Sequence, residues 1–376
     1  MPKNLFERSA KEHALFRQEK YLYPEFVPER LPHRDAEIDS LVYALNPIAK
    51  GGKPHNVFVC GGTGVGKTAS IKFVLGQLEE HTDRARHLYV NCFEFNSRHA
   101  ILSEITNFMG EPVPRRGVAT DELYSKLINA LKKAAFTPVI VLDEVDQLLS
   151  SEEGQKLLYD LLRVIEYQKN RFALIIVSND RTLTARLDPR VKSSLAEETI
   201  EFNQYTPQQL KDILRERAEF AFLPGSLDGE VINVAAAHGA RLGGDARIAI
   251  ECLWKAGREA ERVNASRVGL AHLQKAFEAV AEQNLKAVKY LNEHEKVLLK
   301  LVAEHGSLHS GELYQQYSAA VKEPVTERRL RDFLANLEAQ RLVHAALIDL
   351  GNKGKTKAIS LAVQKEPLLK ALKAAG

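Results

Sequence analysis

The chain has 376 residues, 45% hydrophobic and 27% charged, with 52 Lys and Arg against 49 Asp and Glu. These proportions describe an ordinary globular chain with room for two or three domains. No apolar run approaches the length of a membrane span, and Met1-Pro2-Lys3-Asn4-Leu5-Phe6-Glu7 lacks the apolar core of a signal peptide, so a cytoplasmic protein is expected. Cys60, Cys92 and Cys252 are too far apart for a disulfide framework or a zinc site and read as small buried hydrophobes. The net charge of +3 falls entirely between Tyr290 and Gly376, where 13 Lys and Arg face 10 Asp and Glu; a solvated basic surface explains it as well as a nucleic-acid face.

Residues up to about 20 are polar and charged and read as a frayed or helical tail. Pro24, Pro28 and Pro32 punctuate an extended linker, and helical periodicity begins over Arg34 to Leu45. Then an apolar strand, Asn56 to Cys60, runs into a glycine-rich loop, Gly61-Gly62-Thr63-Gly64-Val65-Gly66-Lys67-Thr68, and a helix from Ala69. The loop fits G-x-x-x-x-G-K-[ST] at every fixed position, which is the phosphate-binding loop of nucleoside triphosphatases. Glycines let successive N–H groups converge on phosphate oxygens, and the helix N-terminus adds its positive dipole end. Lys67 is suited to the β- and γ-phosphates and the Thr68 hydroxyl to Mg²⁺, so Gly62, Thr63, Gly64, Val65, Gly66, Lys67, Thr68 and Ala69 are candidate nucleotide contacts.

Further strands are expected at His87 to Cys92, Pro138 to Leu142, Ala173 to Ser178 and Glu198 to Phe202, with helices at Ala100 to Phe108, Thr120 to Ala134 and Gln155 to Tyr167. Alternating apolar strands and helices indicate a parallel sheet covered on both faces. Val139-Ile140-Val141-Leu142-Asp143-Glu144 delivers two acids at the carboxyl end of a strand, where open α/β sheets bind ligands. Asp143 suits Mg²⁺, directly or through water, and Glu144 suits polarising an attacking water. Asp146 reads as a solvated or capping residue. Ser178-Asn179-Asp180 reads equally as a turn or as a phosphate contact.

After Phe202 the strands stop. Thr206-Pro207 starts a helix as cap and first residue, and several helices follow to about Lys286, one spanning Asp245 to Val263 with Trp254 in its core face. Helices at Glu293 to Glu304, Leu313 to Val321 and Glu327 to Gln340, then β-like runs at Val343 to Leu350 and Ala358 to Val363, make a winged helix. Leu330, Phe333, Leu334 and Leu337 share one helical face and should meet its core. Arg328, Arg329 and Arg331 lie near the end that such helices bring to the major groove, while Lys353, Lys355 and Lys357 alternate along the wing and suit phosphate. Glu327 and Asp332 dilute that basic face.

Phosphate loop, Asp143-Glu144, Asn179 and helical lid, in this order, resemble an AAA+ ATPase. Leu187-Asp188-Pro189-Arg190-Val191-Lys192-Ser193-Ser194-Leu195, Gly244-Asp245-Ala246-Arg247 and the terminal winged helix narrow this. From about residue 20 to 376 the chain resembles the archaeal replication-initiator family, homologous to eukaryotic origin recognition complex subunits and their loading partner. The resemblance implies an α/β AAA+ P-loop core with a parallel sheet, a small all-helical lid and a C-terminal winged helix. The expected division is a tail over 1–20, the core over 21–204, the lid over 205–288 and the winged helix over 289–376.

The resemblance also implies that Asn179 is the first sensor and Arg247 the second, reaching the phosphates. Arg190, by its residues alone a surface or ion-pair arginine, becomes the finger acting on a neighbouring subunit's nucleotide. Leu31-Pro32-His33-Arg34 would contact the base, and Tyr205 joins the nucleotide contacts. An extra element within Asn96 to Asp121 would touch DNA through Arg115, Arg116 and Gly117. The implied ligands are ATP or ADP with Mg²⁺, turned over slowly as a conformational switch. The implied partners are double-stranded origin DNA, the replicative helicase and paralogous initiator subunits, at the nucleoid. A nucleotide-regulated winged-helix transcription factor, or an AAA+ loader or motor, would use the same domains.

Overall fold

The structure, a computed structural model, describes residues 14–114, 117–149, 151–167, 172–195, 198–349 and 355–375. The chain divides into two compact units, one of Glu25–Gln209 and one joining the described residues up to Pro24 to those from Leu210 onward.

In the first unit, strands β1 (Val57–Gly61), β2 (Ala85–Asn91), β3 (Thr137–Asp143), β4 (Ala173–Ser178) and β5 (Glu198–Phe202) pair in parallel in the order β2-β3-β4-β1-β5. Their side chains alternate between two cores. Val57, Val59, Val139, Val141, Ile175 and Val177 join Leu41 and Leu45 of α1 (Asp35–Leu45) and Ile71 and Leu75 of α2 (Lys67–His81). Phe58, Cys60, Ile140, Leu142, Leu174 and Ile176 face the other way. There they meet α3 (Arg98–Phe108), α4 (Thr120–Lys133), α5 (Val145–Leu148) and α6 (Glu152–Tyr167), then α7 (Leu183–Arg186) and α8 (Pro189–Leu195). Burial on both faces is why the inner strands β1, β3 and β4 are buried at every position, while the edge strands β2 and β5 keep polar residues among their apolar ones. Each buried Leu or Ile contributes roughly 1.5–3 kcal/mol, so a one-residue slip in register would be costly. β1, first in the chain, lies between β4 and β5, which brings the loop after it beside the carboxyl ends of β3 and β4.

The second unit opens with four helices, α9 (Pro207–Ala221), α10 (Gly229–Arg241), α11 (Ala246–Arg262) and α12 (Leu270–Lys286). Asp228 and Asp245 cap α10 and α11 through their carboxylates. The segment expected as a tail docks on these helices from Leu15 onward. Its Leu15 N–H donates to Glu261 Oε1 at 3.2 Å, Phe16 stacks on Phe222, and Glu19 accepts from Trp254 Nε1 at 2.6 Å and pairs with Arg258. Gly257 admits this contact, since a Cβ there would lie 2.4 Å from the Phe16 ring. Trp254 is thus half-buried with its indole N–H spent on Glu19.

The winged helix runs α13 (Glu293–His305), β6 (Ser307–His309), α14 (Ser310–Ala320), α15 (Glu327–Ala339), β7 (Val343–Asp349), β8 (Lys355–Leu361) and α16 (Lys365–Ala375), with an antiparallel sheet in the order β6-β8-β7. Leu330, Phe333, Leu334 and Leu337 enter its core as their spacing implied. β8 begins at Lys355, not near Ala358, because the antiparallel pairing continues to Asp349 opposite Lys355. The short β6 and the closing α16 were not expected; α16 brings Leu368 into the core. Among the described residues no helix is long and apolar enough to cross a membrane.

Candidate functional site

The phosphate loop leaves β1 at Gly61 with φ +150°, and a Cβ there would lie 2.4 Å from the Phe202 carbonyl oxygen of β5. Gly64 (φ +66°) and Gly66 (φ +94°) occupy the left-handed region, so the tight wrap onto α2 needs glycine. Lys67, Thr68 and Ala69 form the first turn of α2, the end that favours anions. Lys67 is only 7% exposed, and its Nζ donates to Gly61 O at 2.8 Å, Gly62 O at 2.7 Å and Asn179 Oδ1 at 2.9 Å. Asn179 reaches Lys67 because β4 pairs with β1, with Ser178 opposite Cys60.

Asp143 ends β3 and is 8% exposed. Its Oδ2 accepts from Thr68 Oγ1 at 3.1 Å and from the Tyr89 hydroxyl, and its Oδ1 accepts from the Glu144 N–H at 2.8 Å. Glu144 turns the chain from β3 into α5 with φ +57°, a conformation that costs a non-glycine residue about 1–2 kcal/mol. Such strain at a proposed catalytic carboxylate is characteristic of functional turns.

Sequence reasoning missed two residues of this cluster. Tyr89 lies on β2 opposite Val141 and reads as one more strand residue, yet its phenol donates to Asp143. Burial, with the Asp143 carboxylate adding to it, pushes the phenol pKa up, so it stays protonated and donating. Asp146, half-buried, does more than face water or cap a helix. Its Oδ1 accepts from Ser178 Oγ at 2.5 Å and its Oδ2 from the Asn179 N–H at 3.0 Å, fastening α5 to the end of β4. No local pattern signals a contact spanning that much chain. The cysteines are free and buried as expected, and burial, then Asp143, pushes Cys92 up to about 12, so it is no nucleophile.

Leu31 and Pro32 are half-buried and His33 is exposed with φ +64°. Arg34 is 3% exposed and engages protein on several sides. Its Nε donates to Val65 O at 2.9 Å and Tyr205 Oη at 3.0 Å, Nη1 to Glu37 at 2.8 Å, and Nη2 to Asn203 O at 2.7 Å. Tyr205, also buried, stacks its ring 3.9 Å from the guanidinium carbon.

Arg190 is exposed on α8, its N–H donating to Asp188 Oδ1 at 2.9 Å. Arg247 belongs to the second unit, on the first turn of α11, exposed and paired at 3.5 Å with the cap Asp245. On the winged helix, Arg328, Arg329 and Arg331 are all exposed on the first turns of α15, which Thr326 caps; Arg329 lies 3.8 Å from Asp332 and over the Phe333 ring. Lys355 and exposed Lys357 stand two residues apart on β8. Lys353, Arg115 and Arg116 lie outside the described residues. Gly117, exposed with φ +91°, lies between α3 and α4.

The donor set fits a magnesium nucleotide. Loop N–H groups between permissive glycines and a buried ammonium suit a polyphosphate, and the Thr68–Asp143 oxygen pair suits a hard cation. Among the described residues no group of three or more His, Cys, Asp or Glu could hold a metal by itself. Mg²⁺ takes one or two protein oxygens and completes its shell with phosphate and water.

Three family models match the chain in succession. These are the AAA domain over residues 52–187, the Cdc6 AAA+ ATPase-type lid domain over 211–278 and the CDC6 C-terminal winged helix domain over 286–371. The chain is 37% identical over 370 residues to ORC1-type DNA replication protein 1 of Sulfurisphaera tokodaii, covering 95% of this chain and 93% of that one. It is 38% identical over 378 residues to the ORC1-type DNA replication protein of Pyrococcus abyssi, covering 96% and 90%. The fold is similar to that of the Aeropyrum pernix ORC1 protein solved in complex with DNA, with TM-score 0.73, 35% identity and coverage of 96% and 97%. With AAA+ core, helical lid and winged helix in this order and identity sustained over nearly its whole length, the chain belongs to the archaeal Orc1/Cdc6 family of ORC1-type DNA replication proteins.

Proposed function

We propose that this chain is an ATP-dependent initiator that binds double-stranded origin DNA and helps recruit the replicative helicase. The observation that carries the nucleotide half is the convergence of Lys67 on Asn179 and of Thr68 on Asp143 at the ends of three strands. Lys67 and the loop N–H groups hold the phosphates, and Thr68 and Asp143 hold Mg²⁺, which when bound neutralises phosphate charge. Glu144 accepts the proton of the attacking water, and Asn179 orients that water. Arg247 and Arg190 act as second sensor and as a finger toward a neighbouring subunit, so an isolated chain turns over slowly. The nucleotide then serves as a switch, favouring one lid arrangement over another.

The DNA half rests on the exposed Arg328, Arg329 and Arg331 at the start of α15 and on the exposed Lys357 of the wing strand β8. The relative solved with DNA supports this reading. Two measurements test the whole. Lys67→Ala should lose ATP binding; unchanged affinity removes the nucleotide role. Genome-wide footprinting should give a few peaks at replication origins, and peaks confined to promoters would instead support a transcription factor.

A further inference from the structure

Resting on the nucleotide reading above, we propose that Arg34 is a positioning residue of the phosphate loop, setting affinity for the phosphate chain and not the choice of base. Arg34 stands just before α1, far from the loop in sequence, yet its Nε–H is directed at the Val65 carbonyl, at 2.9 Å. The Val65–Gly66 peptide is trans, as are all peptides described. In a trans peptide the carbonyl and the following N–H point in opposite directions. Holding the Val65 carbonyl toward Arg34 therefore turns the Gly66 N–H, one of the motif's donors for phosphate, away from Arg34.

The guanidinium itself is immobilised. Glu37 neutralises it at 2.8 Å, Asn203 O accepts at 2.7 Å, and Tyr205 lies face-on at 3.9 Å. Tyr205 also shapes the loop directly, because a Cβ at Gly66 would come within 2.7 Å of its hydroxyl oxygen. Segment 33–37, the loop and segment 203–205 are thus riveted through one side chain. Lysine cannot reproduce that fork.

The test titrates the full chain with ATP, GTP and inorganic tripolyphosphate, each with Mg²⁺, by calorimetry. Arg34→Ala should weaken all three by a common factor, roughly ten- to hundredfold for lost charge-assisted hydrogen bonds, leaving the ATP-to-GTP ratio at its wild-type value. Tyr205→Phe changes no charge and keeps the ring. It should weaken all three by about two- to tenfold, which separates positioning from simple loss of a cation. Partial unfolding would lower the binding stoichiometry and not the dissociation constant. Where Arg34→Ala does not fold, Arg34→Lys and Tyr205→Phe carry the same expectation. A loss confined to ATP and GTP, with tripolyphosphate unaffected, overturns the proposal and gives Arg34 to the base. Unchanged affinities in folded variants overturn it too. A wild-type chain that binds none of the three ligands sinks the nucleotide reading itself.

Discussion

Asp146→Ala removes both acceptors that fasten the end of β4 to the start of α5. Taken singly, each hydrogen bond to a carboxylate is worth about 1.5–3 kcal/mol. The net cost is smaller here. The Ser178 hydroxyl, 3.1 Å from Asp180 O, keeps an alternative acceptor, and the Asn179 N–H lies at an exposed position where water can replace Asp146. About 1–3 kcal/mol is therefore expected for stability. In a unit of this size that lowers the melting temperature by roughly 2–10 °C. The functional cost should be larger. Asn179 loses the contact that orients it, and misplacing a positioning group by about 1 Å can cost on the order of a hundredfold in rate. ATP affinity should stay within about threefold, since the loop donors and the carbonyl partners of Lys67 remain and only interactions specific to the transition state are lost. Calorimetric titration with ATP, a thermal melt and single-turnover hydrolysis measure the three quantities. Asp146→Asn, which keeps one acceptor, should fall between. A variant that hydrolyses at the wild-type rate, or loses binding and hydrolysis in equal measure, refutes the assignment.

Tyr89→Phe deletes the phenol donor to Asp143 while Thr68 and the Glu144 N–H remain, so the Mg²⁺ needed for half-maximal nucleotide binding should rise about tenfold. Nucleotide affinity measured in EDTA should not change, and an equal loss there would place Tyr89 elsewhere. Gly61→Ala forces a Cβ to within 2.4 Å of the Phe202 carbonyl at φ +150°, so a loss of at least about 2 kcal/mol is expected in a denaturant melt. A melt matching wild type would mean that β1 and β5 part without cost. Replacing Arg328, Arg329 and Arg331 by alanine should weaken duplex binding and reduce its salt slope by about 0.9 log units per lost phosphate contact. An unchanged slope measured by fluorescence anisotropy would move the DNA contact off α15.

Much of the site could be read locally. The phosphate loop carries its whole mechanism in eight consecutive residues, from Gly61 to Thr68. Asp143 and Glu144 announce themselves because the four aliphatic residues before them, Val139 to Leu142, mark a buried strand and its end. Asn179 was ambiguous for a physical reason. The same Ser-Asn-Asp triplet makes a good turn, and only the pairing of β4 with β1 brings it to Lys67. Tyr89 and Asp146 escaped because their chemistry depends on partners in other strands. Tyr89 resembles an ordinary sheet residue, and Asp146 an ordinary acid at a helix start. The docking of Leu15, Phe16 and Glu19 was equally invisible, since a polar segment with isolated aromatics has no periodicity to reveal it.

By itself the sequence determined the alternation of strands and helices, the helical and winged-helix regions after it, and the residue types that meet a phosphate. Those are properties of short stretches, set by side-chain period, glycine permissiveness and capping. Only the tertiary structure decided which residues hold those groups in place: Tyr89 and Thr68 on Asp143, Asp146 on Asn179, and Arg34 with Tyr205 on the loop. The reason is that a parallel sheet places in contact residues far apart along the chain. A hydrogen bond between them leaves no trace in the local pattern of either partner.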